Sequence, residues 1–141
     1  MVKEELERKK SALRQYKGYE QELSSIQYKI KELEVKIRSI RAKQLSDMPQ
    51  TPFTVKGGNE AIDKLIDLKT EYELLHSKAI EACRRIENMI NNLEDPGHRA
   101  LLRYRYINHL SWDDVAEKIP CSKAYVHQLH LEILEKIKLL D

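Results

Sequence analysis

The 141 residues suffice for one ordinary domain, or for a small domain carried on an extended support. Charged residues make up 34% of the chain and Gly and Pro number four each, a mix that favours long helices with solvated flanks. A net charge of +2 provides no bulk polycation for nucleic acid, and the two cysteines, Cys83 and Cys121, lie too far apart for a CxxC site or a disulfide framework. No apolar run approaches the ~18 residues of a spanning helix, so a cytoplasmic protein without membrane contact is expected.

From Val2 to Ser46 there is no proline and one glycine, Gly18. Tyr16, Tyr19, Leu23, Ile26, Ile30, Leu33, Ile37 and Ile40 follow one another at alternating steps of three and four. That is a heptad seam, and a helix bearing it needs a partner to cover it. At 1.5 Å per residue the helix would be roughly 65 Å long, with no core of its own.

A breaker segment follows. Residues 47–59 hold Pro49, Pro52, Gly57 and Gly58 around Phe53, and are expected to form a loop. Asn59 is the expected N-cap of a second helix, with Glu60 and Asp63 suited to its positive end. This helix is predicted to run to Leu93 with its own seam at Leu65, Leu68, Tyr72, Leu75, Ala79, Ala82, Ile86, Met89 and Leu93. Two matched seams joined by a short loop predict an antiparallel coiled-coil hairpin over 1–93. Residues 1–46 carry a net +5 and residues 47–93 a net −2, which suits that pairing. Ile62, Ile66, Ile80 and Ile90 lie beside the stripe and predict a third covered surface, supplied by a second subunit or by the C-terminal domain. Self-association through the coiled coil is expected. Residues 1–12 should overhang the second helix and meet the C-terminal domain or protrude past it.

The C-terminal domain is predicted over 94–141. Pro96 suits the start of a helix running from His98 to about Asn108, with Leu101, Leu102, Tyr104 and Ile107 inward. Ser111 and Asp114 have the spacing of a capping box for a second helix, which presents Trp112, Val115, Ala116 and Ile119 inward and stops at Pro120. Ser122 caps a third, running to about Leu140 with Val126, His130, Ile133, Ile137 and Leu140 on one face. A supporting helix, a short helix, a tight turn and a longer helix are the parts of a helix-turn-helix. Ala116 supplies the small side chain where its two helices cross, and Val126 the apolar lock ten residues later. The chain as a whole is therefore predicted to be all-α.

The stretch LLRYRYINHLSWDDVAEKIPCSKAYVHQLHLEILEKI (101–137) resembles region 4 of bacterial sigma factors. It is more similar still to the sigma-region-4-like proteins of phages and prophages, including late-gene activators of the ArpU/RinA type. The likeness rests on an ordered set: Arg105 and Tyr106, Ser111 and Trp112, Val115 and Ala116, Ser122, Val126 and His130. It covers about 45 residues, 95–139, and leaves the coiled coil unmatched. Two departures stand out. Pro120 occupies the turn position where such proteins usually have glycine, so the turn must bend differently. Residues 94–141 carry a net −1, whereas DNA binders usually collect positive charge.

In a helix-turn-helix the N-terminal part of the last helix enters the major groove of double-stranded DNA. With Ser122 as cap and Val126 as anchor, the outward positions are Lys123, Ala124, Tyr125, His127, Gln128 and Leu131. Gln128 has the bidentate geometry for adenine, Lys123 can reach guanine or phosphate, and Ala124 or Tyr125 can meet a thymine methyl. Ser122 and the helix N-terminus can receive a phosphate. Arg99, Arg103 and Arg105 are expected either on backbone phosphates or in pairs with Asp113, Asp114 and Glu117. His127 and His130 have metal-ligand spacing, but no third ligand is placed beside them, and neither a metal nor another cofactor is expected. No nucleophile elbow, phosphate-cradling loop or paired carboxylates point to catalysis. The expected function is sequence-specific regulation of phage or prophage transcription, and the sigma resemblance adds contact with RNA polymerase. Two other readings stay open: a small-terminase-like packaging component, and a protein–protein adaptor built on the same motif.

Overall fold

The computed structural model describes residues 3–47 and 56–139. Every regular element among them is helical, in the order α1 (Lys3–Asp47), α2 (Lys56–Asn91), α3 (Pro96–Leu102), a π-helical turn (Arg103–Ile107), α4 (Trp112–Lys118) and α5 (Lys123–Lys136). No helix among the described residues is long and apolar enough to cross a membrane. The all-α prediction holds. Of the expected loop, Pro49, Pro52 and Phe53 lie outside the described residues.

The second helix starts at Lys56, not at Glu60, so Asn59 is an exposed residue within it and not its cap. The glycine pair thus sits in the first turn. There the backbone N–H groups lack helical partners anyway, and glycine's cost of about 1 kcal/mol per residue is tolerable within 36 residues of helix.

The chain divides into two compact units, Glu20–Ser77 and Met1–Tyr19 with Lys78–Asp141. In the first, Leu23, Ile26, Ile30 and Ile37 are buried on α1, and Leu65, Leu68, Tyr72 and Leu75 are half-buried on α2. Ile30 and Tyr72 line one groove there, flanked by Lys31, Glu34, Lys69 and Glu73. In the second unit, Leu13 shares a core with Ile86, Met89, Ile90 and Leu93. Early residues of α1 thus meet late residues of α2, and later ones meet earlier ones: the order of an antiparallel pair. Of the four isoleucines beside the α2 stripe, Ile90 is fully buried in the core it shares with α3, α4 and α5. Ile66 and Ile80 remain exposed and Ile62 half-buried.

The core of the second unit is completed by Leu101, Leu102, Tyr106, Val115, Val126, Ile133, Leu134 and Ile137. The three short helices α3, α4 and α5 each have a side-chain start signal. Asp95 caps α3 through Gly97 N–H at 2.8 Å, a bond that also holds the Asp95 carboxyl below the usual carboxylate range. Ser111 caps α4 through Asp114 N–H at 3.2 Å, and Ser122 caps α5 through Tyr125 N–H at 3.1 Å. Removing the last of these, with Ser122→Ala, is expected to cost about 1 kcal/mol, read as a lowered midpoint in urea.

Three local departures have physical causes. The π turn bonds Asn108 N–H to the Arg103 carbonyl, one residue further than an α-helix, and this turns Tyr106 into the core while Tyr104 and Ile107 are only half-buried. The turn between α4 and α5 uses no positive φ. Ile119 is extended at φ −107°, ψ 97°, as a residue before proline prefers, and Pro120 then leads the chain into Cys121. Finally, α5 ends at Lys136, because Ile137 adopts ψ 142° to drop its side chain into the core. Leu140, expected on the anchoring face, lies outside the described residues.

Candidate nucleic-acid interface

Helix α5 has two opposed faces. Val126, His130, Ile133 and Leu134 are buried, and the spacing of those positions leaves Lys123, Ala124, Tyr125, His127, Gln128 and Leu131 outward. All six are exposed, as is the cap Ser122. Tyr125 and Leu131 keep 53% and 46% of their surface open, a large exposure for apolar groups on so short a helix. Lys123 reaches back across the turn to Asp113 at 3.0 Å. Both side chains are largely in solvent, so this pair is weak and its lysine can exchange partners.

Behind the outward face lies an aromatic cluster that fixes how α5 sits on α4. Trp112 packs against His127 at 5.0 Å and edge-on against His130 at 4.6 Å, and Arg105 stacks its guanidinium on the indole at 4.5 Å. His130 Nε2 lies 2.6 Å from the Tyr106 hydroxyl, both residues being buried. Burial dominates the chemistry of this pair. It pushes the His130 imidazole down to about 4, helped by the positive charges of Lys10 and Arg105, and pushes the Tyr106 phenol up to about 12. At neutral pH the imidazole is therefore uncharged and the phenol protonated. The phenol and Nε2 share a hydrogen bond whose direction follows the imidazole tautomer. His130 is a hydrogen-bonded core residue, as its place on the anchoring face suggests.

The three arginines lie elsewhere than the expected partners Asp113, Asp114 and Glu117. Arg99 Nη1 donates to the carbonyls of Leu93 and Glu94, at 2.6 and 3.0 Å. Arg103 donates to Asn91 Oδ1 at 2.8 Å and pairs with Glu87 at 3.5 Å. Arg105 Nη1 donates to the Leu110 carbonyl at 2.9 Å. Arg99 and Arg103 thus tie α3 and the π turn to the carboxyl end of α2, where helical carbonyls run out of partners and positive charge is favourable. The carbonyls that Arg99 meets leave no mark in the residue pattern, and Glu87, the carboxylate that Arg103 meets, lies sixteen residues before it.

Residues 52–137, 86 of the 141, match the family described as "Protein of unknown function (DUF1492)". The chain belongs to that family. The DUF1492 stretch takes in α2, α3, α4 and α5 and stops at Ile137, the residue that ends α5 by turning inward. Joining α2 to the helix-turn-helix in one DUF1492 unit agrees with the shared core and with the arginine ties between them. No curated protein and no solved structure matches the chain.

Helix α1 lies outside the DUF1492 match, yet it supplies contacts that the sequence pattern missed. Leu6, Lys9, Leu13 and Tyr16 continue the seam at steps of three and four. Leu13 is fully buried, and Leu6 and Tyr16 pack on the same core. Lys9, 5% exposed, donates from Nζ to the Leu134 carbonyl at 2.8 Å and sits 3.6 Å from Glu5. The charged residue at a seam position interrupted the apolar rhythm and hid it. Residues 1–12, expected to overhang, are represented by Lys9 and Leu6 lying against this domain.

Proposed function

We propose that the protein is a sequence-specific DNA-binding regulator of phage or prophage transcription, with α5 as the recognition helix in the major groove. The observation that carries this reading is the complete outward face of α5. It opens with a serine-capped N-terminus and runs through Lys123, Ala124, Tyr125, His127, Gln128 and Leu131, all in solvent, on a helix whose other face is locked by Val126 and Ile133. The residue types suit base edges: an amide for adenine, an ammonium for guanine, and methyl and ring surface for thymine. The likeness of 101–137 to sigma region 4 supports the same reading and extends it to contact with RNA polymerase. The paired long helices are the natural site for self-association, and the bacterial host cytoplasm is the proposed location.

A mobility-shift series against prophage promoter fragments tests this reading. Lys123→Ala combined with Gln128→Ala is expected to weaken the preferred site roughly 10- to 100-fold while leaving non-specific binding nearly unchanged, since each base contact is worth about 1–3 kcal/mol of discrimination. Full retention of site preference by the double variant would dismiss α5 as the reading element.

A second reading, a protein–protein adaptor on the same scaffold, draws on the exposed Tyr125 and Leu131 and on the net −1 of residues 94–141. It predicts no duplex binding even at low salt. A small-terminase-like packaging role predicts a ring of many subunits in light scattering, where the regulator predicts a smaller assembly.

A further inference from the structure

The helix-turn-helix carries a net −1, which leaves the reading above short of the positive charge that duplex binding demands. The structure places that charge on another element. Residues 1–19 hold six Lys and Arg against three Glu, and in the same compact unit as α5 they lie along its core. Lys9, Leu13 and Tyr16 point inward: to the Leu134 carbonyl, into the core, and onto the His109 ring at 5.3 Å. Lys10, Arg14 and Lys17 follow each of these by one residue, so they form a single line about 100° round the helix. Lys10 is half-buried and Arg14 and Lys17 are exposed.

This line runs beside α5, because Lys9, one residue before Lys10, donates to the Leu134 carbonyl of that helix, and Leu13, one residue before Arg14, shares its core. The positive charges of Lys10 and Arg14 act on the buried His130 ring of α5. His127, on the outward face of α5, and Arg105 pack on the same Trp112 ring that His130 meets edge-on. Among the described residues Lys10 has Glu7, at 4.0 Å, as its ionic neighbour and Arg14 has no carboxylate partner.

We infer that the opening turns of α1 are part of the duplex interface, with Arg14 and Lys10 contacting backbone phosphates beside the groove that α5 enters. This rests on the DNA-binding reading and deepens it. The two elements divide the work: α5 touches bases, and α1 neutralises phosphates without regard to sequence. The geometry also explains how a helix-turn-helix of net −1 can bind a polyanion at all.

The test is a salt titration of binding to the preferred promoter fragment and to a mixed-sequence duplex, with the full chain and with Lys10→Gln combined with Arg14→Gln. Each lost phosphate contact lowers the slope of log K against log salt by about 0.9, so the double variant should have a slope shallower by about 2 and bind both duplexes at least roughly tenfold more weakly near physiological salt. The ratio between the two duplexes should not change. Lys10→Arg with Arg14→Lys, which keeps the charge, should restore the slope, and unaltered thermal unfolding of all variants separates this from a folding defect. A wild-type slope in the double variant overturns the assignment of α1 while leaving α5 as a DNA reader. A changed duplex ratio with an unchanged slope overturns it too. Failure of the wild-type protein to bind either duplex at low salt overturns both.

Discussion

Leu13→Ala is expected to destabilise the C-terminal domain by about 2–5 kcal/mol, the usual range for emptying a fully buried leucine site. The residue lies more than eighty positions before the first helix of that domain, yet it fills the centre of its core with Ile86, Ile90, Leu101 and Leu134. The cluster it belongs to draws residues from α2, α3, α4 and α5 as well, so a cavity there falls within a core shared by several helices. The companion experiment is the peptide 94–141 alone. It lacks the wall built by Leu13, Ile86, Met89 and Ile90, and 48 residues seldom bury enough surface to fold unaided. Far-UV circular dichroism in urea should detect a sharp transition for the full chain and little helix in the peptide. A cooperative transition in the peptide at the midpoint of the full chain would show that α1 and α2 contribute nothing to this core.

The second large effect is on acid stability. His130 titrates at about 4 in the folded protein against an ordinary value of 6.5. Between those values the unfolded chain binds a proton that the folded one refuses, so stability rises with pH across this window. The contribution is complete above about pH 6.5 and disappears progressively as pH falls towards 4, below which both states are protonated. A shift of this size corresponds to roughly 3 kcal/mol at 1.36 kcal/mol per unit. Glutamine in place of His130 can still hydrogen-bond the Tyr106 hydroxyl and has no proton to gain. Urea unfolding of the wild type and of His130→Gln at pH 7.5, 6, 5 and 4 should show the wild type losing stability across this window more steeply than the variant, by up to roughly 3 kcal/mol. Parallel loss in both proteins would assign the acid sensitivity to other groups.

Much of this architecture was legible before any coordinates. The two heptad seams predicted two long helices, and Leu23, Ile26, Ile30, Ile86 and Met89 are buried as their spacing requires. Ser111 and Ser122 announced the starts of α4 and α5, because a serine hydroxyl placed three residues before an unpaired N–H is a local signal. The six outward positions of α5 followed from the cap and from Val126. Features that depend on distant contacts were not legible. Lys9 reads as a break in a seam until the Leu134 carbonyl is placed beside it, and Tyr106 reads as outward until the π turn inserts its extra residue. The ends of α2 and α5 are set by what the flanking backbone meets: Gly57 and Gly58 in a forgiving first turn, and Ile137 drawn out of the helix by the core. The role of Arg99 was hidden for the same reason, since backbone carbonyls past a helix end leave no mark in the residue pattern, and the partners of Arg103, Glu87 and Asn91, lie on a helix far along the chain.

The bond from Lys9 to Leu134 joins positions 125 apart in sequence. Closing a loop of that length carries an entropic cost before any contact rewards it, and such distant pairings slow folding. During synthesis the stretch around Leu13 leaves the ribosome long before its partners on α5 exist, so Lys9 and Leu13 must wait for that helix. Final assembly of this domain therefore waits for α5, and a nascent chain stalled short of Leu134 would hold α1 and α2 without the core that α5 completes.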